Sequence, residues 1–260
     1  MELLGITLAL LAVIALERTR LRRVPSPFLR PHFTADLTFY ATGIVALGLG
    51  MRALAQRAAS ALGVPPLLEW PALASLALTL PLYDLGAWLA HRAMHRSAFL
   101  WRVHKVHHAS PRLDWLAAFR MHPIEHAIRH GISPVALLLL GFPAMQVGIA
   151  SVISGGWAAL VHANLHVRWD ALEALFVTPR VHHLHHIPET SERNFGAVLS
   201  IWDRLAGCLL RETAPRGALL GVPGELGAYP HGWWAQLREP FRGDASVLNA
   251  ARLPLPPRVA

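Results

Sequence analysis

The sequence predicts an all-α fold, a polytopic membrane helical bundle with a cytoplasmic, histidine-rich helical cap. Of its 260 residues, 53% are hydrophobic and only 15% are charged, and the mean hydropathy of +0.36 is higher than a soluble globular protein usually has. Several apolar runs are long enough to cross a bilayer. Ten histidines form four clusters beside these runs, at spacings of three or four residues that place side chains on one helical face.

The N-terminal apolar segments predict three spans. Residues 3–16 are apolar and are followed by arginines rather than preceded by them, which argues against a signal peptide and indicates that the first span ends in the cytoplasm. Residues 37–54 predict a second span. Pro65-Pro66 marks the turn before a third span over residues 67–90, which brings His91 and His95 to the cytoplasmic interface.

Residues 127–161 predict a helical hairpin. This apolar stretch is about twice as long as one crossing requires at ~1.5 Å per residue, and Gly141-Phe142-Pro143 interrupts it in the middle. A chain that enters the bilayer and returns places all four histidine clusters on the same side.

The remaining composition excludes several kinds of site. The formal charge of +8 comes almost wholly from arginine, with Lys105 the only lysine. No basic patch interleaved with aromatic residues is present, so we expect no nucleic-acid partner. Cys208 is the only cysteine, which excludes an internal disulfide and a thiolate metal site.

The histidine clusters predict a metal site, because neutral imidazole is a common ligand of zinc, copper, iron and nickel. The spacing H-x-x-H-H occurs twice, and two i, i+4 pairs accompany it. His183 lies off the ligand face and is expected to face solvent or to support a ligand. The ten candidate ligands are His91, His95, His104, His107, His108, His162, His166, His182, His185 and His186.

The number of candidate ligands favours iron. Structural zinc has four ligands and catalytic zinc usually has three plus water, whereas ten imidazoles shared by two ions give about five each. Five nitrogen ligands and one open position suit iron better, and a pair of ions can be held by inward-facing side chains of a helical bundle.

The chain also resembles a known family over residues 75–210. The motifs that carry the resemblance are Asp84-x6-His91-Arg92-x2-His95, Trp101-Arg-Val-His104-Lys-Val-His107-His108, Asp114-Trp115-x4-Arg120-x-His122-Pro123-x-Glu125, His162-Ala-Asn164, Val177-Thr-Pro-Arg-Val-His182, His185-His186, Arg193-Asn194-Phe195-Gly196 and Ile201-Trp202-Asp203-Arg204-Leu205. Together they are similar to the fatty acid hydroxylase and sterol desaturase superfamily.

The resemblance implies an integral membrane oxidoreductase with a di-iron centre. Such enzymes use O₂ to hydroxylate or desaturate a lipid, and they take electrons from an external ferredoxin, cytochrome or reductase. The ten histidines would be the iron ligands, with zinc as a substitute in purified protein. Residues 1–66 would be N-terminal transmembrane helices, residues 67–210 the catalytic domain and residues 211–260 a cytoplasmic or interfacial tail. The composition suggests a bacterial inner membrane, with the metal site on the cytoplasmic side.

Four further residues are expected to support the ligands. Asp84 lies seven residues before His91 on the same helical face, so its carboxylate is expected to accept a hydrogen bond from a ligand imidazole. His122, Glu125 and Asn194 are expected to play similar supporting roles. His126, which continues the face of His122 together with His130, is expected to lie on an interfacial helix surface.

Three alternatives remain open from the sequence. A zinc-dependent membrane hydrolase would need a general base beside its ligands, as in H-E-x-x-H, and that motif does not occur. A bis-histidine haem protein predicts paired histidines on separate helices at membrane depth. A non-catalytic metal-binding membrane protein would show the same histidine pattern without turnover.

Overall fold

The computed structural model describes residues 2–66, 71–212, 218–222 and 229–242, and in these ranges the regular secondary structure is helical, with loops between the helices and two isolated β-bridges. The α-helices are α1 (Glu2–Glu17), α2 (Phe33–Tyr40), α3 (Leu49–Ala61), α4 (Ala72–Arg96), α5 (Ala98–His108), α6 (Pro123–Leu139), α7 (Ala144–His162), α8 (Pro179–His185), α9 (Ile201–Leu205) and α10 (Trp233–Arg238). The all-α prediction is therefore confirmed for the described residues.

Two of the described helices are long and apolar enough to cross a membrane. They are α4, with 25 residues, and α7, with 19 residues. Helix α4 corresponds to the predicted third span, of which residues 67–70 lie outside the described residues. Helix α1 is apolar but shorter, with 16 residues. The complete polytopic bundle and its cytoplasmic cap stay predictions.

The segment predicted as a second span, residues 37–54, is not one regular α-helix. Helix α2 continues into a π-helical stretch, Ala41–Gly48, before α3 begins at Leu49. The imidazole of His126 packs against this stretch, and a Cβ on Gly43 or Gly48 would lie 3.1 or 3.2 Å from its ring nitrogens. His126 is 1% exposed, so the expectation that it lies on an interfacial surface is wrong. A π-helical stretch inside α-helix is rare and often occurs at functional positions.

Helices α6 and α7 are joined by a tight turn at the predicted Gly141-Phe142-Pro143 break. Gly141 has φ 84°, a left-handed conformation that costs glycine little, and the amides of Gly141 and Phe142 bond the last carbonyls of α6. Helix α6 begins at Pro123, four residues before the predicted start, because the His122 imidazole accepts a bond from the Ile124 amide and caps the helix.

Two buried carboxylates attach the C-terminal loop to α4. Asp84 accepts hydrogen bonds from the amides of Val198 and Leu199 and from Trp202 Nε1, at 2.8, 3.0 and 2.9 Å. Asp203 accepts from Trp88 Nε1, 2.9 Å away, and from the amides of the neighbouring loop. The expectation that Asp84 accepts from a ligand imidazole is wrong, since its oxygens bond donors from a loop more than 110 residues further along the chain.

We predict that replacing Asp84 with alanine destabilises the protein, because two buried amides and the partly buried Trp202 indole lose their acceptor. The expected decrease in the free energy of unfolding is roughly 2–5 kcal/mol. The measurement is the thermal unfolding temperature in detergent micelles. Leu82→Ala, at a 38% exposed position of the same helix, is the control and should change it little. Equal unfolding temperatures for the two variants would contradict the role of Asp84.

Candidate metal centre

Helix ends and capping residues bring the histidines together. His91 and His95 lie in the last two turns of α4. Ser97 ends α4 and also caps α5, where its hydroxyl accepts a bond from the Leu100 amide at 3.4 Å. The chain therefore turns sharply between the two helices. Thr178 caps α8 in the same way, and Pro179 occupies the first helical position.

Nine of the ten candidate ligands form two adjacent groups. The first group is His91, His95, His104, His108 and His185, and the second group is His107, His162, His182 and His186. Within each group the candidate ligand nitrogens lie within 4.8 Å of one another. All nine side chains are buried, with at most 6% of any residue exposed. The two groups touch, because the rings of His108 and His186 stack with centroids 4.6 Å apart.

The orientation of five of these rings is set by bonds at Nδ1. Four of the acceptors are backbone carbonyls: Phe195 O for His91, Arg120 O for His107, Ala158 O for His162 and Arg193 O for His185, at 2.7–3.2 Å. His104 Nδ1 instead lies 2.7 Å from the carboxylate of Glu125. A histidine bound at Nδ1 in this way presents Nε2 to a metal, as histidine ligands of metals usually do.

The Nε2 atoms of His107 and His162 repel each other unless a cation lies between them. A carbonyl oxygen can only accept, so Nδ1 of each ring carries the hydrogen and Nε2 of each neutral ring carries a lone pair. These two Nε2 atoms lie 3.1 Å apart. Two lone pairs at this distance repel each other. Protonating either ring would bury a charge, and no carboxylate of the described residues lies within salt-bridge distance of them.

Burial keeps the imidazoles outside the long helices neutral. It lowers the pKa of His104, His107 and His108 well below the usual value of 6.5. Burial likewise lowers the pKa of His182, His185 and His186 well below that value, and neighbouring rings add to the effect. A metal ligand must be the neutral imidazole, so these residues fit a bound cation without first losing a proton near pH 7.

Two glutamates lie beside the first group. Glu125 contacts His104 and also Arg129, whose Nη1 is 3.3 Å from the same carboxylate oxygen. Burial raises the pKa of Glu125 to about 8, although the charge of Arg129 opposes that rise. Glu192 Oε1 lies 3.5 Å from His95 Nδ1 and is near the Arg96 guanidinium. Glu192 could not be identified from the sequence, because it belongs to no motif and lies far from His95 along the chain.

His166 is not part of either group. Helix α7 ends at His162, and the following residues are extended, with Leu165 bridged to Arg22 and the His166 amide bonded to Leu21 O. The four-residue spacing to His162 is therefore not helical spacing, and the His166 side chain is exposed. We do not include it among the proposed ligands.

Two of the predicted supporting residues contact backbone rather than ligand rings. His122 caps α6, and its Nε2 lies 3.2 Å from Leu237 O. Asn194 has a left-handed backbone conformation with φ 59°. Its side-chain Nδ2 donates hydrogen bonds to Val181 O and Leu210 O, and its Oδ1 accepts one from the Leu210 amide. This fixes the loop whose neighbouring carbonyls, at Arg193 and Phe195, accept from His185 and His91.

His183 is buried and bonded to Arg23 rather than exposed to solvent. It is 2% exposed, and its Nδ1 lies 3.0 Å from the Arg23 guanidinium. The expectation that it faces solvent is wrong, because the segment that follows α1 covers this side of α8.

Comparison with known proteins gives one family and several relatives. The model of the family described as "Fatty acid hydroxylase" matches residues 76–208. An ornithine lipid hydroxylase of Rhizobium tropici is 32% identical over 178 residues, which cover 66% of this chain and 52% of that protein. An alkylglycerol monooxygenase of Caenorhabditis elegans is 29% identical over 125 residues, 47% of this chain and 24% of that protein.

A third relative is a Delta(7)-sterol 5(6)-desaturase of Candida glabrata, which is 24% identical over 128 residues, 49% of this chain and 34% of that protein. The chain spans about half, or less, of the length of these curated relatives. No solved structure matches it.

We predict that the purified protein binds two metal ions per chain and that His162→Ala loses at least one of them. The reason is that His162 Nε2 lies within 3.2 Å of three other ring nitrogens of the second group. Metal content is measured by elemental analysis after anaerobic purification. His166→Ala is the matched control and should keep both ions, and a variant that loses metal at His166 but not at His162 would contradict this assignment.

We also predict that acid destabilises the metal-free protein. The buried rings have pKa values below 6.5 in the folded state and near 6.5 when unfolded, so the unfolded state binds more protons in acid. Their contribution to stability is present above pH 6.5 and is lost as the pH falls below it. Thermal unfolding of the metal-free protein should therefore shift to lower temperature from pH 7.5 to pH 5. A constant unfolding temperature over this range would contradict the prediction.

Proposed function

Because this chain belongs to the fatty acid hydroxylase family, we propose that it is a membrane oxidoreductase that uses two iron ions and O₂ to oxidise a C–H bond of a lipid. The observation that carries the proposal is the pair of buried, adjacent histidine groups, one with five members and one with four. The names of the relatives support lipid oxidation, since two are hydroxylating or oxygenating enzymes and one is a desaturase.

The donor set fits iron better than zinc. Imidazole is a suitable ligand for ferrous iron, and four or five such ligands exceed the three protein ligands of a usual catalytic zinc site. The chemistry that a pair of iron ions supplies is the reductive activation of O₂ that hydrogen abstraction from an unactivated C–H bond requires.

The protein's role in this chemistry is to hold and orient the nitrogen ligands and to exclude bulk water from the metal centre. The neutral rings provide nitrogen ligands without adding negative charge, and the carbonyls at Nδ1 fix which nitrogen of each ring faces the centre. The nine rings are almost completely buried, so bulk water is excluded from the place where a reactive oxygen species would form.

Glu125 and Glu192 are proposed to act on the first group only. Glu125 orients His104 and is itself held by Arg129, and Glu192 faces His95 from a partly exposed position. The loop that provides the carbonyl acceptors of His91 and His185 is held by the side chains of Asp84, Asp203 and Asn194. These three residues are therefore proposed to act on the metal centre indirectly.

The proposal includes a location and an electron source. The arginines that follow α1 and the apolar helices α4 and α7 favour a multi-pass protein of a bacterial inner membrane with the metal centre on the cytoplasmic side. Residues 67–210 would be the catalytic domain. Electrons would come from an external ferredoxin, cytochrome or reductase, and exposed arginines near Glu192 such as Arg96 would favour an acidic donor.

We predict that cells expressing the intact protein contain an oxidised lipid that is absent when His107 is replaced by alanine. An added oxygen atom would identify hydroxylation, and the loss of two hydrogens would identify desaturation. The measurement is comparative lipidomics, with ¹⁸O₂ labelling to test for incorporation of oxygen. His166→Ala should still form the product. Unchanged lipid profiles for the intact protein, or equal product from His107→Ala, would contradict the proposed function.

A further inference from the structure

A cavity of about 400 Å³ lies beside the second histidine group, and we propose that it binds the anionic headgroup of a membrane lipid. Its wall includes Arg23, Arg30, Arg112, Leu113 and Leu220. This volume is in the range of small-molecule binding sites. The site is separate from the histidine groups, since none of the nine clustered histidines lines it. The inference rests on the proposed function only where it identifies the bound lipid as the substrate.

The charge of the cavity wall is positive. Three arginines line it, and the only carboxylate among the described wall residues is Asp114, which is already bonded to the Arg30 guanidinium at 2.7 Å. Arg30 also pairs with Asp36 at 2.7 Å, and Asp36 in turn pairs with Arg120. The carboxylates of Asp114 and Asp36 are thus both paired with arginines. No other carboxylate of the described wall residues compensates Arg112.

Arg112 is the arginine best placed to meet a ligand. Its side chain is exposed, and in the described part of the chain its guanidinium makes no hydrogen bond or ion pair. Arg23 also lines the cavity and adds positive charge to it, with its Nη1 3.0 Å from His183 Nδ1. Arginine binds phosphate and carboxylate groups with paired, charge-assisted hydrogen bonds, so the exposed guanidinium of Arg112 provides donors for an anion in the cavity.

The segment that contributes to the cavity wall indicates that the anion belongs to a lipid. Residues 23–26 line the cavity, and the surrounding segment, residues 18–29, exposes four apolar side chains: Leu21, Val24, Phe28 and Leu29, at 44–70%. Arg18, Arg20 and Arg22 belong to the same segment and are also exposed. Apolar side chains interspersed with arginines, directly after an apolar helix, are typical of a segment that lies in the headgroup region of an anionic bilayer.

Two residues of the cavity wall are close in the chain to members of the second histidine group. His183 lines the cavity and follows His182, which belongs to that group. Asn164 also lines it, two residues after His162, and its side chain bonds Val24 O at 2.7 Å and the Val24 amide at 3.1 Å. A headgroup held here would therefore place the attached lipid at the edge of the metal centre. The substrate class that follows is a lipid with a phosphate or carboxylate headgroup.

The test measures binding without turnover. The purified, metal-loaded protein in detergent is titrated with three probes, dihexanoyl phosphatidylglycerol, dihexanoyl phosphatidylcholine and inorganic phosphate, and binding is followed by calorimetry. We expect phosphatidylglycerol to bind most tightly. Arg112→Gln should weaken its binding roughly three- to tenfold, the loss expected for a charge-assisted contact. Arg204→Gln is the charge-matched control, because Arg204 lines a different cavity that also contains glutamates.

The outcomes separate this inference from the proposed function. Equal binding of the two lipids, tighter binding of inorganic phosphate than of phosphatidylglycerol, or equal losses in Arg112→Gln and Arg204→Gln would each overturn it. Arg112→Gln should keep the metal content of the unaltered protein, which shows that the variant folds. Oxidation of an uncharged lipid without binding of the anionic probe would overturn the inference and leave the proposed function standing. Tight, Arg112-dependent binding without any lipid oxidation would support the cavity and contradict the function.

Discussion

The structure depends on nine histidine side chains that face one another in a buried space. The Nε2 lone pairs of His107 and His162 lie 3.1 Å apart and repel each other, and a buried proton there would have no carboxylate partner among the described residues. Such an arrangement stays folded only if the surrounding structure holds every ring in place. The caps at Ser97 and Thr178, the loop anchored by Asp84 and Asp203, and the carbonyls at Nδ1 all contribute to holding them. Cation binding would turn the repulsion into attraction.

The parts of the site that follow helical periodicity could be predicted from the sequence. The repeated H-x-x-H-H spacing lies on α5 and α8, where i, i+3 and i+4 share a face, and both triplets enter the groups. The prediction that His162 and His166 share one helical face was wrong, because α7 ends at His162. A spacing of four residues places side chains on the same face only within a helix. A single sequence gives no sign of that end, since no proline or glycine follows His162 directly.

The contacts between distant segments could not be predicted. Asp84 stands out in the sequence as an ionisable group in an apolar helix, but its partners lie in a loop more than 110 residues further along the chain, and no local pattern indicates them. Glu192 and the basic cavity were missed for the same reason. Their residues come from segments that only the tertiary structure brings together. The fold class was easier to predict, because apolar length and helical spacing are local properties.

The acceptors behind the ligand rings differ between the two groups in a way that affects how the protein can evolve. In the second group the acceptors of His107 and His162 are main-chain oxygens, which no amino-acid replacement can remove. In the first group His91 and His185 also have main-chain acceptors, but His104 and His95 face the side chains of Glu125 and Glu192, which replacement can exchange for amides or apolar groups. For the two proposed ions, natural variation or design would thus adjust the reduction potential of the first through Glu125 and Glu192 in its outer coordination sphere, whereas the carbonyl acceptors of His107 and His162 would be retained beside the second.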